Sequence, residues 1–164
     1  MPLTPFHVGP ALLLGALFYR YLDIPTLVVG SVIVDVRAAL VVFGPLEGPV
    51  HGILTTFLGG GLLAVVLAAP VWALPEPIRA WLDHLRFDTN RSSAILGGAV
   101  VGVYSHVILD SLLYTDARPF SPSSWNPFLL EGSHLLSVYL GCIVAGVVGL
   151  GVIFARYLRN RRAI

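Results

Sequence analysis

His106 and Asp110 lie four residues apart inside a strongly apolar run, Tyr104-Ser105-His106-Val107-Ile108-Leu109-Asp110. On a helix that spacing puts the imidazole and the carboxylate on one face. A second carboxylate, Asp116, follows where the run gives way to Thr115-Asp116-Ala117-Arg118-Pro119-Phe120. Ionisable groups in hydrocarbon are costly and need a metal, a partner or a water-filled cavity to remain there. Imidazole and carboxylate together suit zinc, manganese or iron. Such an ion balances carboxylate charge, acidifies a water and polarises a phosphoryl or carbonyl oxygen.

The elements that must position these groups are read from hydropathy. Of the 164 residues, 56% are hydrophobic and only 12% charged, and the mean hydropathy is +0.84. A soluble domain carries about 25% charged residues, so the composition marks a single integral membrane domain of helices. Apolar runs at 6–22, 26–43, 51–74, 94–114 and 133–155 predict about five transmembrane helices, each near the roughly 20 residues needed to span. Between Pro75 and Ser93, Ile78, Trp81, Leu82 and Leu85 recur at helical spacing with Arg79, Asp83, His84 and Arg86 between them. That pattern predicts an interfacial amphipathic helix over about 76–88. The Gly59-Gly60-Gly61 cluster predicts close helix contact rather than a break. Residues 115–132 form a polar loop rich in Pro and Ser. Trp125 and Tyr114 fit interface anchors, and the lone cysteine, Cys142, fits a small core residue.

The basic residues are all arginine, and their placement predicts orientation. Arg20, Arg79, Arg86, Arg91, Arg156, Arg159, Arg161 and Arg162 share one side of a five-span topology, and only Arg118 lies on the other. By the positive-inside tendency the N-terminus is outside and the C-terminus cytoplasmic, in a cell (inner) membrane. The start of the chain lacks a basic n-region and cleavage site, so the first apolar run is expected to be retained. The arginines are not interleaved with aromatics on one helix face, which gives nucleic-acid binding no support. No nucleotide-binding glycine loop, Cys-x-x-Cys or serine-nucleophile elbow is present.

This topology brings the polar groups together. His7, His51 and His134 fall at outer span ends, and Asp35 and His106 lie about eight residues, roughly 12 Å, below them. Asp110 and Thr55 are shallower. His7, Asp35, His51, His106 and Asp110 are therefore the candidate metal ligands, held by facing helices as in other bundles. The bland readings are a His106–Asp110 pair that only fixes helix packing, an Asp35 ion pair with Arg37 or Arg118, and interfacial histidines at 134 and 84 that only hydrogen-bond.

Thr4-Pro5-Phe6-His7-Val8-Gly9-Pro10, the carboxylate in Val34-Asp35-Val36, His51-Gly52 and His106-x-x-x-Asp110 resemble the membrane-bound metal-dependent hydrolase family of inner-membrane proteins, which includes the LexA-binding type. Asp116-Ala117-Arg118-Pro119-Phe120 with Asn126-Pro127 looks like the ending of an archaeal and bacterial branch. The resemblance covers nearly the whole chain. It implies a helical membrane protein with a His/Asp site for a divalent metal, zinc or manganese, at His7, Asp35, His51, His106 and Asp110, with Asp116 alongside. Two positions depart from the pattern. Thr55 stands where a second histidine is expected, and Arg37-Ala38 replaces an acidic residue and a proline.

The resulting expectation is a membrane-embedded hydrolase of a phosphoester or lipid head group near the outer face. Asp116 orients water or acts as general base, and Arg37 and Arg118 hold an anionic substrate. The alternative is a non-catalytic membrane scaffold or partner-binding subunit with a degenerate metal site. A proton or ion pathway through Asp35 and His106 is a third reading, opposed by the lack of polar groups below them apart from Ser31.

Overall fold

The computed structural model describes residues 5–74, 78 and 92–161, and these form helices joined by turns, with no strand among them. The α-helices are α1 (Pro5–Leu17), α2 (Ile24–Ile33), α3 (Val36–Phe43), α4 (Phe57–Trp72), α5 (Ser92–Leu113) and α6 (Leu135–Arg161), and a 3-10 turn spans Ile53–Thr55. The all-α bundle agrees with the sequence. The interfacial helix expected over 76–88 lies outside the described residues.

Three stretches are long and apolar enough to cross a membrane: Ile24–Phe43, Ser92–Leu113 and Leu135–Arg159, of 20, 22 and 25 residues. Among the described residues three spans of full length are supported, and the expected five or so are not. α1 has 13 residues and α4 has 16, about 20 and 24 Å of helix against a hydrocarbon core of about 30 Å. The first apolar run stops as a helix at Leu17, where Tyr21 and Leu22 N–H both turn back to the Phe18 carbonyl. The third starts six residues later than hydropathy suggests. Gly52 is extended (φ −118°, ψ −153°), and Thr56 is extended as the cap of α4, its Oγ accepting from Gly59 N–H at 2.9 Å. Apolar content made these segments look helical, but their backbone is bent.

The second span is also interrupted. α2 begins on a side-chain cap, with Asp23 accepting from Thr26 N–H at 2.9 Å and proline in the first turn, a combination that fixes a helix start. It ends at Ile33, and α3 restarts at Val36, so Asp35 stands at the joint.

Close approach of backbones, rather than bulky side chains, holds the helices together. α2 packs chiefly on α5, α1 on α6, and α4 on α5. A Cβ on Gly102 of α5 would overlap the Leu27 carbonyl of α2, and one on Gly9 of α1 would overlap the Cys142 carbonyl of α6. Small residues at membrane helix crossings allow this contact. The core beside them is correspondingly small-sided, with Ala64, Ala68, Ala99, Val103 and Val107 fully buried. The triple glycine in α4 serves contact as expected, because Gly60 lies against Val103 and Gly61 against the Tyr104 hydroxyl. Cys142 is buried and free.

The loop after α5 folds back over the bundle. Phe57 N–H donates to the Pro119 carbonyl at 2.9 Å, Leu130 N–H to Leu112 at 3.0 Å, and the Asn126 side chain to the Ser111 carbonyl at 2.9 Å. Phe57, Phe120, Phe128 and Trp125 stack into one aromatic cluster under it. Trp125, expected only as an interface anchor, therefore also packs on the loop's own Phe120.

Candidate metal centre

His106 is the hub. It is fully buried on α5, and both ring nitrogens face hydrogen-bonding groups on α2 or its joint. Nδ1 lies 2.8 Å from the Ser31 carbonyl. A carbonyl can only accept, so Nδ1 carries a proton, and in the neutral ring Nε2 carries the lone pair. The helix joint supplies this acceptor. Asp35 N–H donates to the Val32 carbonyl at 3.1 Å, one residue short of the Ser31 carbonyl that a continuous α-helix would use. The glycine-mediated approach of α2 and α5 then brings His106 within reach.

Nε2 of His106 points at carboxylates, 3.4 Å from Asp35 Oδ1 and 3.0 Å from Asp110 Oδ2. Despite the short distance to Asp110, Nε2 has no hydrogen bond. His7, from the first turns of α1, stacks on His106 with ring centroids 3.8 Å apart and 16° between planes. Its Nε2 is 3.6 Å from Asp110 Oδ1, and these two atoms are likewise buried without hydrogen bonds. Two imidazoles and two carboxylates converging in a buried place form an arrangement that suits a cation.

The donors fit one. His7, Asp35 and His106 each offer a ligand atom, and these atoms lie within 4.8 Å of one another. Ligands of a tetrahedral ion with bonds of about 2.1 Å stand roughly 3.4 Å apart, close to the 3.4 and 3.6 Å separations here. Asp110, 2% exposed, borders the trio, with its Oδ2 3.0 Å from His106 Nε2. The Nδ1–H of His106 on a backbone carbonyl is the outer contact that commonly orients a ligating histidine.

His51 stands at the edge of this group. Its Nε2 is 3.7 Å from Asp110 Oδ2. Its Nδ1 is 2.8 Å from Asp116 Oδ2, and its ring stacks on Tyr114 with centroids 4.7 Å apart. The loop fold brings Asp116 here although its own side chain is half exposed. The expected helix opening at His51 is corrected. His51 precedes the 3-10 turn, so positions 51 and 55 do not share a helix face. Thr55 is buried and donates to the Gly52 carbonyl at 2.8 Å.

Arg37 turns to the loop that carries His51. Its Nη2 donates to the Pro49 carbonyl at 3.2 Å, its guanidinium packs against Gly52, and its Nε is buried without a hydrogen bond. Arg118 is exposed on the turn after α5. His134 is exposed, beside Leu112 and Leu130, and His84 lies outside the described residues. Sequence reasoning missed Ser31, whose contribution is a backbone atom, and Tyr114 as the ring behind His51. The recurrence of Gly98 and Gly102, about two turns and one turn before His106, was the available signal that a neighbouring backbone comes close.

Comparison with protein-family models, curated proteins and solved structures gave no match.

Proposed function

We propose that the protein is a membrane-embedded metal-dependent hydrolase of phosphoesters, with His7, Asp35, His106 and Asp110 holding a zinc or manganese ion. The convergence of His106 Nε2, His7 Nε2 and Asp110 Oδ1, all buried without hydrogen bonds, carries this reading. When bound, the ion supplies charge to a phosphoryl oxygen and acidifies water.

The chain's own groups supply the rest. Asp116, ionised, can only accept, so it fixes the His51 proton on Nδ1 and leaves Nε2 facing the centre as a proton acceptor. As the oxygen of a water bonds to phosphorus, its proton passes to His51. The ester oxygen leaves with the electron pair of the broken P–O bond and takes up a proton from solvent, to which His51 returns the one it accepted. Arg37, with an unsatisfied Nε beside His51's loop, and Arg118 are the groups for the phosphate charge. The arginines at 79–91 and 156–162 fall on one side whether the chain crosses three times or five, which supports a site near the outer face of the inner membrane, with the N-terminus outside. The alternative, a non-catalytic scaffold, is favoured by Thr55, whose hydroxyl is bound within its own turn.

The test is metal analysis of detergent-purified protein, joined to hydrolysis of bis(p-nitrophenyl) phosphate. Stoichiometric Zn or Mn that is lost in His106→Ala, with hydrolysis lost alongside, is the expected result. Wild-type protein that binds neither metal, or binds metal and hydrolyses nothing, refutes the reading in favour of the scaffold.

A further inference from the structure

An apolar groove of about 310 Å³ runs along the crossing of α1 and α6, between Leu12 and Phe6 on one wall and Ile143, Val147 and Leu150 on the other. Gly9 and Gly146 form its floor, since neither has a side chain to fill it. Its α6 wall belongs to the most apolar of the long helices, with mean hydropathy 2.4, and Val147 and Leu150 are more than half exposed. Phe6 and Cys142 line the groove and also line a second, smaller cavity, which His7 borders. That cavity measures about 10 Å³, room for about one water. Phe6, stacked on Tyr139 at 4.4 Å, stands between the two. The groove thus opens to the bilayer along its length, and its Phe6–Cys142 end adjoins the small cavity that His7 borders.

We propose that this groove holds one acyl chain of a membrane phospholipid, and that the phosphoester of the same lipid is presented past Phe6 to His7 and Asp110. The substrate class is then a phospholipid taken laterally from the membrane, not a soluble phosphoester. A hydrocarbon chain is the occupant that the surroundings offer. One wall of the groove lies in a membrane-spanning helix, and every residue that lines it is apolar. The end of the groove at Phe6 and Cys142 adjoins the cavity bordered by His7, so a chain lying in the groove puts its head group on the side of the donor cluster. This assignment rests on the hydrolase reading for its catalytic half only.

The test separates the two. Delipidated, metal-loaded protein in detergent is given one equivalent of dioleoyl phosphatidic acid, and retained lipid is read by native mass spectrometry. Wild-type protein is expected to hold one lipid per chain. Val147→Trp and Leu150→Trp, which fill the groove from its exposed wall, are expected to lower the retained fraction about tenfold, as for displacing roughly two buried methylenes. Val148→Trp, on the exposed surface of the same helix but outside the groove, is expected to retain lipid as wild type does. No retained lipid in wild type, or equal retention in all three variants, overturns the proposal. Hydrolysis of the retained lipid and of bis(p-nitrophenyl) phosphate is measured in the same samples. Retention without hydrolysis of either ester removes the hydrolase reading and leaves the groove standing. Hydrolysis of the soluble ester without retention removes the groove and leaves the hydrolase.

Discussion

Gly102→Ala tests whether helix proximity builds the metal centre. Gly102 stands four residues before His106 on α5, and an added methyl would overlap the Leu27 carbonyl of α2 and come within 3.0 Å of Ser31 N. Carbon needs roughly 3.5 Å from a neighbouring heavy atom, so the helices must part by about 1 Å. The bond from His106 Nδ1 to the Ser31 carbonyl is 2.8 Å long. A 1 Å retreat stretches it to roughly 3.8 Å, beyond a hydrogen bond, and carries Asp35 away from Nε2 by a similar amount. Overpacking of this kind costs about 1–3 kcal/mol of stability, and loss of an orienting contact lowers metal affinity roughly 10–100-fold. Zinc titration by calorimetry in detergent, with thermal melting of the metal-free protein, reads both. Gly61→Ala is the companion, because its new methyl meets only the end of the Tyr104 side chain. Wild-type zinc affinity in Gly102→Ala would falsify the claim that α2–α5 contact sets the ligand geometry.

Three further outcomes follow from the same structure. Asp116→Asn keeps the shape beside His51 but removes the acceptor-only carboxylate, so kcat on a phosphodiester should fall by about 10²-fold or more while metal content, read by elemental analysis, holds. Thr56→Ala removes the cap of α4, whose Oγ accepts from Gly59 N–H; about 1 kcal/mol of stability should go, visible as a lower melting temperature with unchanged metal stoichiometry. Because histidine and aspartate must be deprotonated to ligate, zinc affinity should weaken as pH falls below the histidine range, and a titration flat from neutral pH to pH 5 would contradict histidine ligation.

The i, i+4 pair of His106 and Asp110 was legible in the sequence because helical periodicity alone dictates a shared face. Their convergence with His7 and Asp35 followed from where hydropathy placed the ends of apolar runs. Hydropathy counts apolar residues, however, and does not register backbone direction. It could not show that residues 18–22 curl into a turn, that Gly52 is extended, or that the second span breaks at Asp35. The loop's return over α4 and α5 was hidden as well, since it depends on the Asn126 contact with a backbone carbonyl and on aromatic stacking among residues far apart in sequence. Asp116 reaches His51 only through that return.

The joint between α2 and α3 also bears on assembly. A ligand oriented by a main-chain carbonyl is insensitive to the side chain that residue carries, so Ser31→Ala should leave His106 held as before. The same arrangement exists only when α2 and α5 are side by side. Helices of this kind are inserted first and associate afterwards. A helix newly in the bilayer has His106 without its acceptor and the donors spread over separate segments, so there is nothing yet to load. Metal capture then becomes a late event in biogenesis, and the occupied centre is a mark that the helices have found one another.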